Sequence, residues 1–475
     1  MSGWIDARRA GIAIALVLSA QLMLVLDTTV VNVALPRIAT DLGFGPASLS
    51  WVLNAYALAF GGLLVLGGRI GDAIGRRRAF TVGLWIFVAA SALAAIAQTP
   101  ADLITFRALQ GVGAALAAPS TLALLTTSAR DESGRLRALA LFGAVSSGGL
   151  SLGLILGGAL TDLGSWRWTM VINVPIGLAV LALVRRFVTE TEPQRGRFDV
   201  VGAITATGGA IAVVWSLIGA PEHGWTSART IGGLVVGALL LAGLVLTERR
   251  VAHPLVEPTL LRDRNRVGAL VAMALVVGGQ LSMFYLVVQL VQGSLGFGPM
   301  ASGLAFLPLS LTVLVMSRFS PRVVARFGAA RPLMVGAAGL VTSYLWLAEV
   351  GTTSSYAVGI FGPMLLIGLS MSLCFMPITS LVLGGVAPEH AGSASGLLQT
   401  TQQLGSAVGI AVIASVYAAG AVPGQVVPGM RGGFTAAAVF AALTLLTATA
   451  LHVRAVRSAR TVEAPDAPAE VLEAA

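Results

Sequence analysis

The chain has 475 residues, 56% of them hydrophobic and only 11% charged, with 57 glycines and a mean hydropathy of +0.87. That composition excludes a soluble globular protein, and the lack of any ten-residue alternation excludes a lipid-facing barrel, leaving an all-α polytopic membrane protein. The net charge of +9 would suggest nucleic acid in a soluble chain, but the thirty Lys and Arg residues are all arginine and fall mainly in short loops between apolar stretches, a pattern that sets membrane orientation.

About twenty apolar residues cross a bilayer, and on that ruler fourteen spans are predicted, over 11–35, 48–69, 79–98, 103–127, 137–160, 168–187, 199–219, 230–247, 267–291, 301–319, 332–348, 356–384, 394–419 and 433–452. The first follows Arg8 and Arg9 as a leader peptide would, yet it runs past any small-residue cleavage site and carries Asp27. In the twelfth, Pro363 and Pro377 are expected to kink or break the helix. With the N-terminus inside, 25 of the 30 arginines fall on the cytoplasmic side, and only Arg37, Arg167, Arg229 and Arg431 fall opposite. Arg107 lies within a span. Both termini are therefore expected in the cytoplasm of a bacterial cell, an arrangement that requires an even number of spans. Twelve would satisfy parity but leave two apolar segments between Asp199 and Glu248 unused. Residues 461–475, rich in Ala, Glu and Pro, read as a disordered tail. The one cysteine, Cys374, rules out an intrachain disulfide, and with four scattered histidines no metal site is expected.

A repeat joins the two ends of this pattern. The loop from Gly68 to Arg78 and the segment from Pro321 to Arg331 align at an offset of 253, with Arg69 over Arg322, Gly75 over Gly328 and Arg78 over Arg331. Ala325 replaces Asp72 in the second copy. The implied organisation is a cytoplasmic N-terminus (1–10), a six-helix bundle (11–190), two inserted transmembrane helices with linkers (191–262), a second six-helix bundle (263–455) and a cytoplasmic tail (456–475).

Asp27 is the most informative single residue, because a carboxylate at membrane depth is costly and usually binds or moves charge. It lies ~24 Å along a helix from Gly11 at 1.5 Å per residue. Arg107, early in a span running the other way, reaches a similar depth, so an ion pair would lower the cost of both. The alternative is a static salt bridge between two helices. Protonating Asp27 would release Arg107 to other partners such as Gln110. Gly149, Gly153, Gly157 and Gly158 put a smooth stripe on span five for close helix approach. In the Gly68–Arg78 loop, arginines are expected to bind carbonyls or acids of the other half. Polar and aromatic side chains on inward faces are candidate substrate contacts: Gln21, Thr28 and Asn32; Asn54 and Tyr56; Gln110; Tyr285 and Gln289, on a face with Ser282 and Gln292; and Gln399 with Gln403. Buried amides can equally serve to tie helices together.

Four segments in this order resemble the fourteen-span drug:proton antiporters of the major facilitator superfamily: Leu26 to Pro36; Gly68 to Arg78; Arg107 to Ala115; and Gly153 to Gly158, followed by Trp166-Arg167-Trp168 and Asn173-Val174-Pro175-Ile176-Gly177. Leu154 departs from the pattern, which usually has Pro there. The resemblance implies the major facilitator fold and proton-coupled export of lipophilic drugs, antibiotics or an endogenous metabolite. It implies proton coupling by Asp27 and Arg107, and gating by Arg69, Asp72, Gly75 and Arg76 with Gly149, Gly153 and Gly157. The expected partners are a small lipophilic substrate, protons and the bilayer, with a monomeric protein, no cofactor and no nucleic acid. The rival readings are a narrow-specificity importer or facilitator of the same fold and a non-transporting sensor. An enzyme is not expected: the chain has no lysine for a phosphate-binding loop and no paired-acid or histidine-rich centre.

Overall fold

The computed structural model describes residues 2–45, 48–128, 132–191, 200–248, 258–351, 355–386, 391–420 and 427–463. Arg130, Arg195, Arg197, Arg249, Arg250 and residues 464–475 of the expected tail lie outside them. All regular structure among the described residues is helical. The long helices are α1 (Ser2–Leu42), α2 (Trp51–Ile74), α3 (Arg76–Ala95), α4 (Pro100–Thr127) and α5 (Glu132–Leu163). A broken pair follows, α6 (Trp168–Val171) and α7 (Asn173–Phe187), and then α8 (Val200–His223) and α9 (Ala228–Glu248). The remainder are α10 (Arg264–Gly293), α11 (Pro299–Leu304), α12 (Leu307–Phe327), α13 (Ala330–Ala348), α14 (Gly362–Leu383), α15 (Ala391–Ala419) and α16 (Val427–Glu463).

Each predicted stretch coincides with a helix or a broken pair. Among the described residues nine helices are long and apolar enough to cross a membrane, or ten if the segments 48–64 and 66–74, bent by 51°, form one span. The prolines of the twelfth stretch are accommodated without a break. Pro363 sits in the first turn of α14, where no backbone donor is needed, behind a π-helical turn over Ala357–Phe361.

Helices α1 to α7 pack among themselves, α1 against α5 and α7, and α2 and α3 against α4. Helices α10 to α16 do likewise, with α10 on α15 and α16, and α13 on α14 and α16. Helix α8 leans on both α2 and α15, where Trp51 and Trp215 meet at 5.2 Å between ring centroids, and α9 packs on α8. The two groups meet near the arginine-poor ends of their helices. There Gln292 donates to the Val33 carbonyl at 3.1 Å, the Met300 amide donates to Asp162 at 2.7 Å, and Val33, Leu35 and Ile38 join Leu286, Leu290 and Phe306 in one apolar core. Nearer the arginine-rich end, the first group has a core of its own around Phe80, Leu84, Phe87 and Leu124.

The loop repeat is visible in the backbone. Gly75 separates α2 from α3 at φ 102°, and Gly328 separates α12 from α13 at φ 74°. Both are left-handed conformations that a side chain would strain, which is why the repeat keeps glycine there.

Candidate functional site

Local sequence fixes the depth of Arg107. Thr99 and Asp102 form a reciprocal cap, the Thr99 hydroxyl accepting from the Asp102 amide at 3.2 Å and the Asp102 carboxylate accepting from the Thr99 amide at 3.0 Å, with Pro100 opening the helix. Seven residues on, Arg107 lies roughly 10 Å below that cap. Gly111 and Gly113 let α2 and α3 approach the same helix: a Cβ at Gly111 would stand 2.5 Å from the Tyr56 carbonyl, and one at Gly113 2.6 Å from the Gly83 carbonyl.

At that depth Arg107 meets Asp27. Its Nη1 donates to Asp27 Oδ2 at 2.6 Å, and both side chains are buried. The carboxylate takes two more hydrogen bonds on Oδ1, from Gln110 Nε2 at 3.2 Å and Asn173 Nδ2 at 2.8 Å. Arg107 is held in turn, Nε donating to the Val52 carbonyl at 3.0 Å and Nη1 also to Gln110 Oε1 at 3.0 Å. The Tyr56 ring lies under its guanidinium, 4.6 Å from Cζ to centroid. Gln110 Nε2 donates to Ser91 Oγ at 2.7 Å. Donors from α4 and α7 thus close on one carboxylate of α1, the condition under which a buried ion pair offsets its desolvation.

The rest of the motif pattern places these helices. Asp41 accepts from Trp166 Nε1 at 2.8 Å and from Arg167 Nη1 at 2.5 Å, and Arg167 Nη2 donates to the Ala97 carbonyl at 3.0 Å. This clamp ties the segment before α6 to the ends of α1 and α3, and the helical stretch that follows brings Asn173 to Asp27. Helix α5 closes on the other side of α1. A Cβ at Gly149 would stand 2.9 Å from the Val25 side chain, one at Gly157 2.5 Å from the Val30 carbonyl, and one at Gly153 would run into the Thr29 hydroxyl. Gly158 leaves this stripe, because one residue turns a helix by about 100°; it faces Pro299 and Met300 of α11 instead.

The structure rearranges several expectations. Gln110 already bonds both charges instead of waiting for Arg107, and Tyr56 covers the guanidinium. Gln21 donates to Ser146 of α5 at 3.2 Å, while Thr28 and Asn32 donate to carbonyls of their own helix, Val25 and Thr28. Asn54 is buried with an unpartnered Oδ1. Tyr285 is buried edge-on to Tyr417, and Gln289, one turn along, is half-buried. Gln403 fills the gap over Gly61 where α2 meets α15, and Gln399 is exposed. None of these residues lines either of two grooves in the helix group, one lined by Leu311, Val315 and Leu365 and the other by Val267, Val271 and Leu446.

The Gly68–Arg78 loop also finds a different acid. Asp72 pairs with Arg76 at 2.5 Å on the turn around Gly75, and Arg69 is half-buried on α2. The carboxylate met by Arg77 and Arg78 is Glu190, just after α7 in the same half. Glu190 accepts from the Arg77 amide at 2.8 Å and lies 3.5 Å from the Arg77 guanidinium and 3.8 Å from that of Arg78, capping α3 where the helix dipole favours an anion.

Sequence reasoning missed Asn173, Ser91 and Glu190 as partners. Asn173 and Ser91 are isolated polar residues in apolar spans, and comparing their depth with that of Asp27 would have brought them forward.

The model of the Major Facilitator Superfamily matches residues 17–410. The chain is 38% identical over 453 residues to the puromycin resistance protein pur8 of Streptomyces alboniger, covering 92% of this chain and 90% of that protein. It is 38% identical over 443 residues to the cephamycin export protein CmcT of Amycolatopsis lactamdurans, covering 92% and 91%. Among solved structures it superposes on an auto-inhibited POT family peptide transporter with a TM-score of 0.69 at 18% identity, covering 95% and 97% of the two chains. The nucleoside transporter NupG aligns with a TM-score of 0.63 at 12% identity, covering 93% and 99%. The chain belongs to the Major Facilitator Superfamily and is a multi-pass membrane transporter, not an enzyme, and its relatives include antibiotic resistance and export proteins.

Proposed function

We propose that this transporter is a proton-coupled antiporter that exports lipophilic small molecules across the bacterial cytoplasmic membrane by alternating access. It does so through fourteen spans, with both termini cytoplasmic, as a monomer driven by the proton gradient without a cofactor. One observation carries the reading: the buried carboxylate of Asp27, held by Arg107, Gln110 and Asn173 in the interior of an otherwise apolar helix group. A charge so placed is costly unless it is used. A proton arriving on Asp27 cancels the charge that holds Arg107, leaving the guanidinium to Gln110 and the Val52 carbonyl. The α1 contacts with α4 and α7 then weaken together.

The bias of arginine toward one end supports the orientation, and the tight approach of α5 to α1 at Gly149, Gly153 and Gly157 supports a sealed contact during rocking. The loop holding Arg69, Asp72, Gly75 and Arg76 acts as the gate, with the neighbouring Arg77 and Arg78 tethered within the first half by Glu190. Names such as puromycin resistance and cephamycin export among the relatives favour amphipathic antibiotics. With Asp27 the central acid, neutral and monocationic molecules fit better than dications. The test is uptake by the full chain in proteoliposomes under an imposed pH gradient, with puromycin as the first probe in a panel of neutral and monocationic lipophilic antibiotics. Accumulation is expected only with the gradient, and lost in Asp27→Asn. Transport that ignores the gradient and is unchanged in Asp27→Asn sinks the antiport reading.

A further inference from the structure

Hydrogen-bonding capacity around Asp27 is used unevenly. Gln110 is engaged at both ends of its amide, Oε1 accepting from Arg107 and Nε2 donating to Ser91 and Asp27. Arg107 is fixed by the Val52 carbonyl and the Tyr56 face. Asn173 differs: it is fully buried, its Nδ2 donates to Asp27 Oδ1 at 2.8 Å, and its Oδ1 has no partner among the described residues. A buried acceptor left idle is destabilising and asks for a reason.

We infer that Asn173 is the positioning residue that reads the protonation state of Asp27. An amide carries a donor and an acceptor on one planar group. Facing the carboxylate, Asn173 donates from Nδ2. When a proton binds Asp27, the carboxyl O–H becomes a donor, and a half-turn of the amide brings the idle Oδ1 round to accept it. Neither neighbour can answer in this way, because turning Gln110 would break its bonds to Arg107 and Ser91 and a guanidinium has no acceptor. Asn173 is also the first residue of α7, six residues from the Arg167 clamp on Asp41. The turn of its amide therefore falls close to the anchored end of the span over 168–187.

The charged or titratable groups facing Asp27 from the helices packed on α1 are Arg107 and, behind it, the Tyr56 phenol. On α5, α7 and α10 such groups stand near helix ends, except Tyr285, which packs against Tyr417.

This inference rests on the proton-coupling reading, and one experiment separates their failures. The full chain in lipid nanodiscs is titrated by difference infrared spectroscopy, following the carboxyl C=O stretch that Asp27→Asn removes. That signal needs no transported substrate. Losing a hydrogen bond to the charged form favours the protonated form, so in Asn173→Leu the band should appear at a pH about one unit higher than in the wild type, and at higher frequency. Asn173→Ser, whose hydroxyl both donates and accepts, should recover at least part of that shift. Should Asn173→Leu not fold, Asn173→Asp places a second acid of the same size beside Asp27 and should move the band further in the same direction. If no Asp27-dependent band appears at any pH, the proton-coupling reading fails and this inference with it. If the band is present but neither its position nor its midpoint moves in the folded Asn173 variants, Asn173 is only a structural tie and the inference alone is overturned.

Discussion

The two halves of the helix group share a hinge but not an interior. Gly75 and Gly328 break their helices at the same place in the repeat, both at positive φ. At the same offset of 253, however, Asp27 corresponds to Gln280 and Arg107 to Ile360. The second half does bury an arginine, Arg266, but at the start of α10. Its guanidinium donates to the carbonyls of Val382 at 2.9 Å, Gly384 at 3.2 Å and Leu260 at 3.4 Å, and the carboxylate nearest it, Asp263, stands 3.8 Å away. Backbone carbonyls can satisfy a guanidinium at a helix end, where the last turn leaves them free. Mid-helix carbonyls are already used, so a charge there needs a side-chain partner. The duplicated scaffold thus demands the glycine turns in both copies, whereas among the described residues the ion pair at mid-span belongs to one copy.

Four substitutions break or sharpen this contrast. Arg107→Ala leaves Asp27 buried without its cation and should cost roughly 3–5 kcal/mol, read as a large fall in the thermal unfolding temperature of the purified protein, together with loss of gradient-driven uptake. An unchanged melting temperature would mean that Asp27 finds another partner. Gln280→Asp puts an acid at the equivalent place in the second half with no arginine opposite, at about 2.5–3.5 kcal/mol. Its yield in the membrane and its melting should both drop, and a variant as stable as wild type would show that this half tolerates charge equally well. Gly153→Leu forces α5 away from Thr29 of α1 and should destabilise by about 1–3 kcal/mol. Cysteine cross-linking between α1 and α5 would report the separation. Glu190→Gln weakens a partly exposed cap and should cost about 1 kcal/mol or less, visible as faster amide hydrogen exchange in the first turn of α3 with little change in melting.

Much of this was readable beforehand because the strongest signals are local. A twenty-residue apolar stretch declares a span without reference to anything else, and arginine placement orders the ends. Asp27 and Arg107 could be matched because each is a lone charge in a span, so depth alone pairs them. Amides gave no such lead. Asn32, Asn54, Gln110 and Asn173 look alike in sequence, yet Gln110 and Asn173 reach the carboxylate, Asn32 bonds its own helix, and Asn54 keeps an idle oxygen. Their roles depend on helix rotation, which the apolar spans leave nearly unmarked because every face of a membrane helix is hydrophobic.

Glu190 shows the same limit in a loop. Its acid could have met arginines of either half; the turn after α7 decided for Arg77 and Arg78. The sequence alone determined that this is a helical membrane protein with repeated halves and one acid worth explaining, because hydropathy, charge placement and glycine turns act over a few residues. Only the tertiary structure decided which groups surround that acid, because a hydrogen bond across 146 residues of chain between Asp27 and Asn173 depends on how four helices are rotated and clamped together.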